Sequence, residues 1–290
     1  MKKFLCFILV FCLISCPAAF AVDDDCVGFL TRLKTTPEEF FMLMKKAWAT
    51  NGWAIVGDHS ESKPKFYDSL MLMQMALNAG EIDEMILPDF VAEYLIKINK
   101  EYSPCCISDS GPMSLCFGFL KENFQLRDKW NTALISMRDD FTLAGFSQKY
   151  IKDFPKDTSY DYIDGKNNKD KQKKSNKIKF ERFKDAPTVR VAVTGDLPPV
   201  DFVAEDGMAA GYSTAVLAEI GKRLRVNVQL VCVNAAARSA ALVSGRVDVV
   251  FWYEVNKSLE IQPDVNEGII LSEPYLSWNT FMHVKLEEED

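Results

Sequence analysis

The sequence predicts an α/β protein made of two similar lobes, and three observations carry that expectation. After residue 188 the chain reads strand, helix, strand, helix, strand, the order of a parallel sheet with right-handed crossovers. A helix ending in A-L-x-x-G and running straight into an apolar strand occurs twice. One copy is 76–80 before Glu81-Ile82-Asp83, the other 241–245 before Arg246-Val247-Asp248. Between the copies lies a polar, Lys- and Asn-rich stretch, 152–187, almost free of aliphatic periodicity, which reads as a linker.

The first 21 residues stand apart from the fold. Lys2 and Lys3 precede an apolar run over 4–14, and Ala19-Phe20-Ala21 supplies a small-residue cleavage site, so 1–21 reads as a secretory signal peptide. The alternative is Leu13-Ile14-Ser15-Cys16, which has the form of a bacterial lipobox and would make Cys16 a lipid anchor. The chain has 290 residues, 48% of them hydrophobic and 26% charged, enough for one two-lobed unit or two modest domains. Its net charge of −7 argues against nucleic acid as a partner, because phosphate binding needs a basic surface. After cleavage Cys26, Cys105, Cys106, Cys116 and Cys232 remain, with no CxxC or His-Cys spacing of a zinc motif, so no metal or cofactor is expected. Cys105 and Cys116 are close enough in sequence to close a small loop, though nothing in the sequence requires that pair.

From the N-terminal side, Thr36-Pro37-Glu38-Glu39 is a capping box that starts a helix over 36–49, and Asn51-Gly52 ends it. A short strand is expected over 53–56, a polar loop over 57–64 and an extended segment over 65–67. Asp68 or Ser69 then caps a Met-rich helix over 70–78, whose methionines read as core. A strand over 82–87, a helix over 90–99 and a strand over 115–120 follow. Helices are expected over 124–138, with Leu126, Trp130, Leu134 and Met137 on one face, and over 143–150. Beyond the linker come strand 189–193, helix 213–224, strand 226–233, helix 238–244 and strand 247–252.

Three stretches carry a family resemblance. "VRVAVTGDLPPVDFVAEDGMAAGYSTAVLAEIGKRLRVNVQLV", "ALVSGRVDVVF" and "LSEPY" resemble lobe 1 of the family 3, polar amino acid type, extracytoplasmic solute-binding proteins. "FYDSLMLMQMALNAGEIDEMILPDFVAEYL" resembles their lobe 2. "FGFLKENFQLRDKWNTALISMRDDFTLAGFSQKYI" is similar to the segment that returns from lobe 2 and ends such proteins. The resemblance implies a bilobed, periplasmic-binding-protein-like fold of type 2 with a hinge. The lobe order is circularly permuted: 22–151 is the lobe 2-like region with its returning helices, 152–187 the linker, and 188–290 the lobe 1-like region. It implies a non-enzyme that captures an amino-acid-like solute outside the cytoplasm, in the periplasm where there is one, and presents it to an inner-membrane ABC permease. The linker favours a monomer, with a swapped dimer as the other arrangement.

In such receptors the ligand lies between the lobes, at the carboxyl ends of the strands. The loops to inspect are therefore 194–200, 252–257, 57–60 and 87–89, with the start of the helix at Arg238. Amino-acid-binding members carry T-x-T-x-x-R after the third strand of lobe 1, its Arg gripping the ligand carboxylate. This chain has "WYEVNKSLE" there, with Glu260 near the Arg position, and Leu197 where an aromatic is usual. The acidic residue that follows the lobe 2 strand is shifted to Asp89. The replacement set is Trp252 and Tyr253 as an aromatic wall and Glu254 or Asp89 as acceptor for a cationic group. Arg238 is the carboxylate fork, and Asp196 and Leu197 line the first loop. No catalytic set is expected: Asp58, His59 and Ser60 are mere sequence neighbours, whereas a triad is a geometry.

Overall fold

A computed structural model of the chain describes residues 26–30, 63–153, 178–204, 207–257, 262 and 265–287. The expected signal peptide, the helix over 36–49, the strand over 53–56, the 57–60 loop, Glu260 and most of the linker lie outside the described residues. In chain order the elements begin with β1 (Cys26–Leu30), β2 (Lys63–Tyr67), α1 (Leu70–Asn78), β3 (Glu84–Pro88), α2 (Asp89–Ile98) and β4 (Tyr102–Leu120). Helices α3 (Phe124–Asp139) and α4 (Thr142–Ser147) follow, and a π turn continues the second over Gln148–Lys152. The later part holds β5 (Thr188–Val193), the short strands β6 (Asp196–Leu197), β7 (Asp201–Val203) and β8 (Ala209–Ala210), then α5 (Tyr212–Leu224) and β9 (Asn227–Cys232). It ends with α6 (Arg238–Val243), β10 (Val249–Asn256), β11 (Ile269–Leu271) and β12 (Leu276–Leu286).

The main sheet has the order β2-β1-β3-β12-β4-β10-β5-β9, with β11 also on β4. Within each half the first strand pairs in parallel with the second and third, as β1 does with β2 and β3, and β5 with β9 and β10. A long antiparallel strand then closes each half, β12 on β3 and β4 on β10. Read inward from either edge, the order is therefore second, first, third, long strand. The two long strands pair with each other and make the two halves one sheet.

The repeat reaches single residues. Gly80 and Gly245 both sit at φ +68°, the left-handed conformation in which glycine ends a helix at no steric cost. Their N–H groups donate to Leu77 and Leu242, at 3.1 and 3.0 Å. Three residues on, the Asp83 and Asp248 N–H groups each donate at 2.8 Å to the first strand of their own half, at the Cys26 and Arg190 carbonyls. Their carboxylates accept from the same two residues' N–H groups, at 2.7 and 2.8 Å. Each Asp thus ties the third strand of its half to the first.

Helix α3 shows why the returning segment belongs with the later half. Trp130, Ala133, Leu134 and Met137, at helical spacing, are buried, and Trp130 meets Phe117 and Phe119 of β4 edge-on. Across from it, Arg223 of α5 donates to Ser136 at 2.7 Å, Asp140 at 2.7 Å and Thr142 at 2.9 Å. Arg138 and Asn131 of α3 bind the backbone of Pro274 and Glu273. The 271–275 segment is anchored from the other side too, because Ser272 and Phe117 exchange hydrogen bonds at 2.9 Å.

The largest departures from expectation are the long strands. Only 115–120 of β4 was expected, and none of β12, β1 or β11. Ser103-Pro104 and Asp109-Ser110-Gly111-Pro112 read as turn composition, and β4 is extended there because β12 pairs with it along both halves. At the junction of the halves β4 advances four residues, Met113 to Asp109, while β12 advances two, Trp278 to Thr280. Gly111, at φ +67°, lies in this bulge. A Cys105–Cys116 loop is also ruled out. Cys106 faces His283 and Leu115 faces Leu276, so the two cysteines lie about 23 Å apart along the strand pair.

Candidate functional site

Strands β3 and β10 end on opposite sides of the long pair. Pro88 closes β3 opposite Phe281, and Asn256 closes β10 opposite Met113, itself opposite Trp278. Three strand spacings, about 14 Å, and three residues of β12, about 10 Å, separate these ends. The carboxyl ends of strands are where an α/β sheet opens its crevice. The two halves therefore direct their crevices at one another across the bulge at Gly111.

The loop after β5 is shaped by a residue that sequence reasoning missed. Asp201 is fully buried, and its Oδ2 accepts from Gly195 N at 2.6 Å, Thr194 N at 3.0 Å and Thr194 Oγ1 at 3.2 Å. Burial pushes its carboxyl up to about 6, against the lowering by these donors and with a further push from the Asp196 charge. The available signal was an acidic residue inside the apolar stretch Pro198-Pro199-Val200 to Phe202-Val203. Sequence reasoning also missed Tyr275 of the "LSEPY" stretch. It donates to the Phe251 carbonyl at 2.7 Å, receives Ser213 Oγ at 3.3 Å, and its own carbonyl accepts the Tyr212 hydroxyl. Burial holds both tyrosine hydroxyls protonated, far above their usual range.

The expected site residues are placed as follows. Asp196 is half-buried on β6, and its Oδ1 is enclosed with no hydrogen-bond partner among the described residues. Leu197 is fully buried in the main core beside Val200 and Tyr212. Trp252 and Tyr253 do not form one wall: consecutive strand residues point to opposite faces, so Trp252 joins the main core and Tyr253 the smaller one. Arg238 is brought to Tyr253, its guanidinium 4.9 Å from the ring centroid, and its Nη1 donates to the Ala235 carbonyl at 3.1 Å. At 4% exposed, it is a core residue in this arrangement. Glu254 lies half-buried on β10 opposite Leu115 of β4. Asp89 opens α2, its Oδ1 accepting from Phe90 N at 2.7 Å and its Oδ2 from Thr280 Oγ1 of β12. Asp89 and Glu254 thus flank the long pair from opposite halves. The pairs brought together are Arg238 with Tyr253, and Asp196 with Asp201.

Two α/β halves of equal topology, joined by a pair of long strands with the ends of their third strands facing one another, define a two-lobed α/β fold. Sequence comparison adds a match over the later part of the chain: residues 189–289 match the model of the bacterial extracellular solute-binding proteins, family 3. No curated protein matches the chain in sequence. Among solved structures, the chain is similar to the ligand-binding component of an ABC-type import system from Staphylococcus aureus. The identity is 11% and the TM-score 0.43, with 90% of this chain and 65% of that one covered. It is also similar to an ABC transporter periplasmic substrate-binding protein from Coxiella burnetii, at 10% identity and TM-score 0.37, covering 90% and 84%. A methionine-bound nutrient-binding protein from Burkholderia cenocepacia gives 12%, 0.37, 90% and 84%. The chain spans just under two thirds of the length of the first of these.

Proposed function

We propose that the chain is an extracytoplasmic receptor that captures a small, polar, amino-acid-like solute between its halves and presents it to an ABC permease. The observation that carries this reading is the mirrored strand order, with two crevices facing across a two-strand hinge, in a chain whose residues 189–289 match a solute-binding family. Binding rather than catalysis is the role. Asp89 and Glu254 are the acceptors for the solute's ammonium group and Asp196 lines the first loop, while Arg238 reaches the carboxylate only by turning away from Tyr253 and the Ala235 carbonyl. Export through residues 1–21, with or without an anchor at Cys16, places the receptor outside the cytoplasm. The reading includes a permuted lobe order in a monomer. Two facts support it: the end of β12 and the start of β1 flank β3, Val284 facing Met85 and Val27 facing Glu84. A connection of about 10 Å there would restore the family's order.

A second reading, a sensor or interaction module with a degenerate ligand site, is favoured by the burial of Leu197 and by the inward-turned Arg238. A thermal-shift screen against amino acids, betaines and small peptides separates the two. A ligand at 100 times its dissociation constant stabilises by about 2.7 kcal/mol. A shift with an amino acid supports the receptor; no shift across the panel supports the module.

A further inference from the structure

Away from the crevice, four side chains with metal-ligand chemistry meet on one face of the sheet. Glu84, Cys105, Cys106 and His283 place one ligand atom each within 4.8 Å of all the others. Strand pairing explains the meeting. His283 of β12 stands between Ile86 of β3 and Cys106 of β4, and residues in register share a face. Glu84 and Ser108 lie two residues from Ile86 and Cys106, so period-two alternation puts them on that face as well.

Cys105 would ordinarily point to the opposite face. A β-bulge changes this: His283 pairs with Cys106 and Val284 with Pro104, which leaves Cys105 as the extra residue. Its Sγ lies 3.9 Å from Cys106 Sγ and 3.4 Å from Glu84 Oε1. A tetrahedral zinc ion with Zn–S bonds of about 2.3 Å and Zn–O bonds of about 2.0 Å has S···S and S···O edges of about 3.8 and 3.5 Å. His283 Nδ1 lies 2.8 Å from the other carboxylate oxygen, Glu84 Oε2, so a rotation of the carboxylate and a small opening present one oxygen to an ion between all four groups. The ring is oriented from behind, because Nε2 lies 3.1 Å from Ser108 Oγ, the outer hydrogen bond that metal-bound histidines make.

We propose that Glu84, Cys105, Cys106 and His283 form a binding site for a divalent, borderline-soft cation of the zinc class. The ion clips β3 to both long strands at the end of the sheet half that β3 belongs to. His283 is buried and Cys105 exposed, so the ion enters from the Cys105 side. On binding, the two thiol protons leave to solvent, and His283 binds through Nδ1 with its ring proton on Nε2, donated to Ser108 Oγ. The site is independent of the solute crevice and stands whether or not a solute binds.

The test is cobalt titration of the full, reduced, chelator-treated chain, followed by displacement with zinc. Thiolate-to-cobalt absorption in the near ultraviolet and tetrahedral bands in the visible are expected at one ion per chain, and zinc abolishes both. Cys105→Ser and Cys106→Ser, with unchanged circular dichroism, each about halve the thiolate band, and the double variant removes it. Cys232→Ser, in the other sheet half, leaves it intact. Ser108→Ala keeps the band but weakens affinity about tenfold or more. The proposal is overturned by the absence of a thiolate band in the wild type. It is equally overturned by a band that survives in the double cysteine variant, or by one lost with Cys232→Ser.

Discussion

Asp201 gives the sharpest test of how the first crevice loop is held. Its carboxyl stands at about 6 in the folded chain against 3.8 for the ordinary group, because burial penalises its charge more than the Thr194 and Gly195 donors favour it. Between those two values the folded state binds the proton and the unfolded state does not. Stability from this group is therefore fully present below about pH 4, falls as pH rises towards 6, and is flat above. A shift of about two units corresponds to about 3 kcal/mol. Asp201→Asn cannot ionise, yet it keeps an oxygen for the Thr194 and Gly195 N–H groups. Urea unfolding of both proteins from pH 4 to pH 7.5 isolates the group together with its coupling to Asp196, because the carboxylates that do not act on Asp201 cancel in the difference. The wild type loses about 2.4 kcal/mol relative to Asp201→Asn across that range, because the unfolded carboxyl is already partly ionised at pH 4. A difference that stays flat, or that grows in the wild type's favour with pH, refutes the account of Asp201 as a buried acid clamping the loop.

Four further outcomes follow from the packing. Gly118→Ala lowers stability by about 2 kcal/mol in denaturant titration, because its Cβ would lie 2.2 Å from Tyr253 Cε2 on a ring held by Arg238 and Ser239. Gly111→Ala costs about 1 kcal/mol, since a side chain at φ +67° meets the following carbonyl; calorimetric melting reads it. Trp130→Ala costs about 4 kcal/mol by cavity formation between α3 and β4, whereas Arg223→Ala lowers the midpoint by releasing α3 and α4 from α5.

Much of the fold was legible because local signals and tertiary structure agree. The A-L-x-x-G helix ends gave two lobes and proved to be matched glycines at the same positive φ. Of the two candidate caps before the methionine run, Asp68 and Ser69, it is Ser69 that caps α1, through Leu72 N. The 124–138 face appeared with Trp130, Leu134 and Met137 buried. What could not be read was non-local. β4 and β12 are strands because each finds the other, and neither "SPCCISDSGP" nor "LSWNTFMHVKL" announces a partner more than a hundred residues away. The site was less legible for the same reason. A sequence gives residue type, but the face of Trp252 against Tyr253 and the inward turn of Arg238 are set by a register shift in β10 and by the packing of α6. The cluster at Cys105 was invisible because its members come from three strands and one bulge.

The central claim, that one solute is held from both halves, is tested most directly by calorimetric titration of the amino acid that the thermal-shift screen selects. It is titrated into the wild type, Asp89→Asn and Glu254→Gln. The first variant keeps an oxygen for the Phe90 N–H at the start of α2, and lies in the half of β3. The second lies in the half of β10. The account predicts one solute per chain and a loss of at least about tenfold in affinity, 1.4 kcal/mol, from each variant, with circular dichroism unchanged. Affinity that falls in only one half, or in neither, contradicts it.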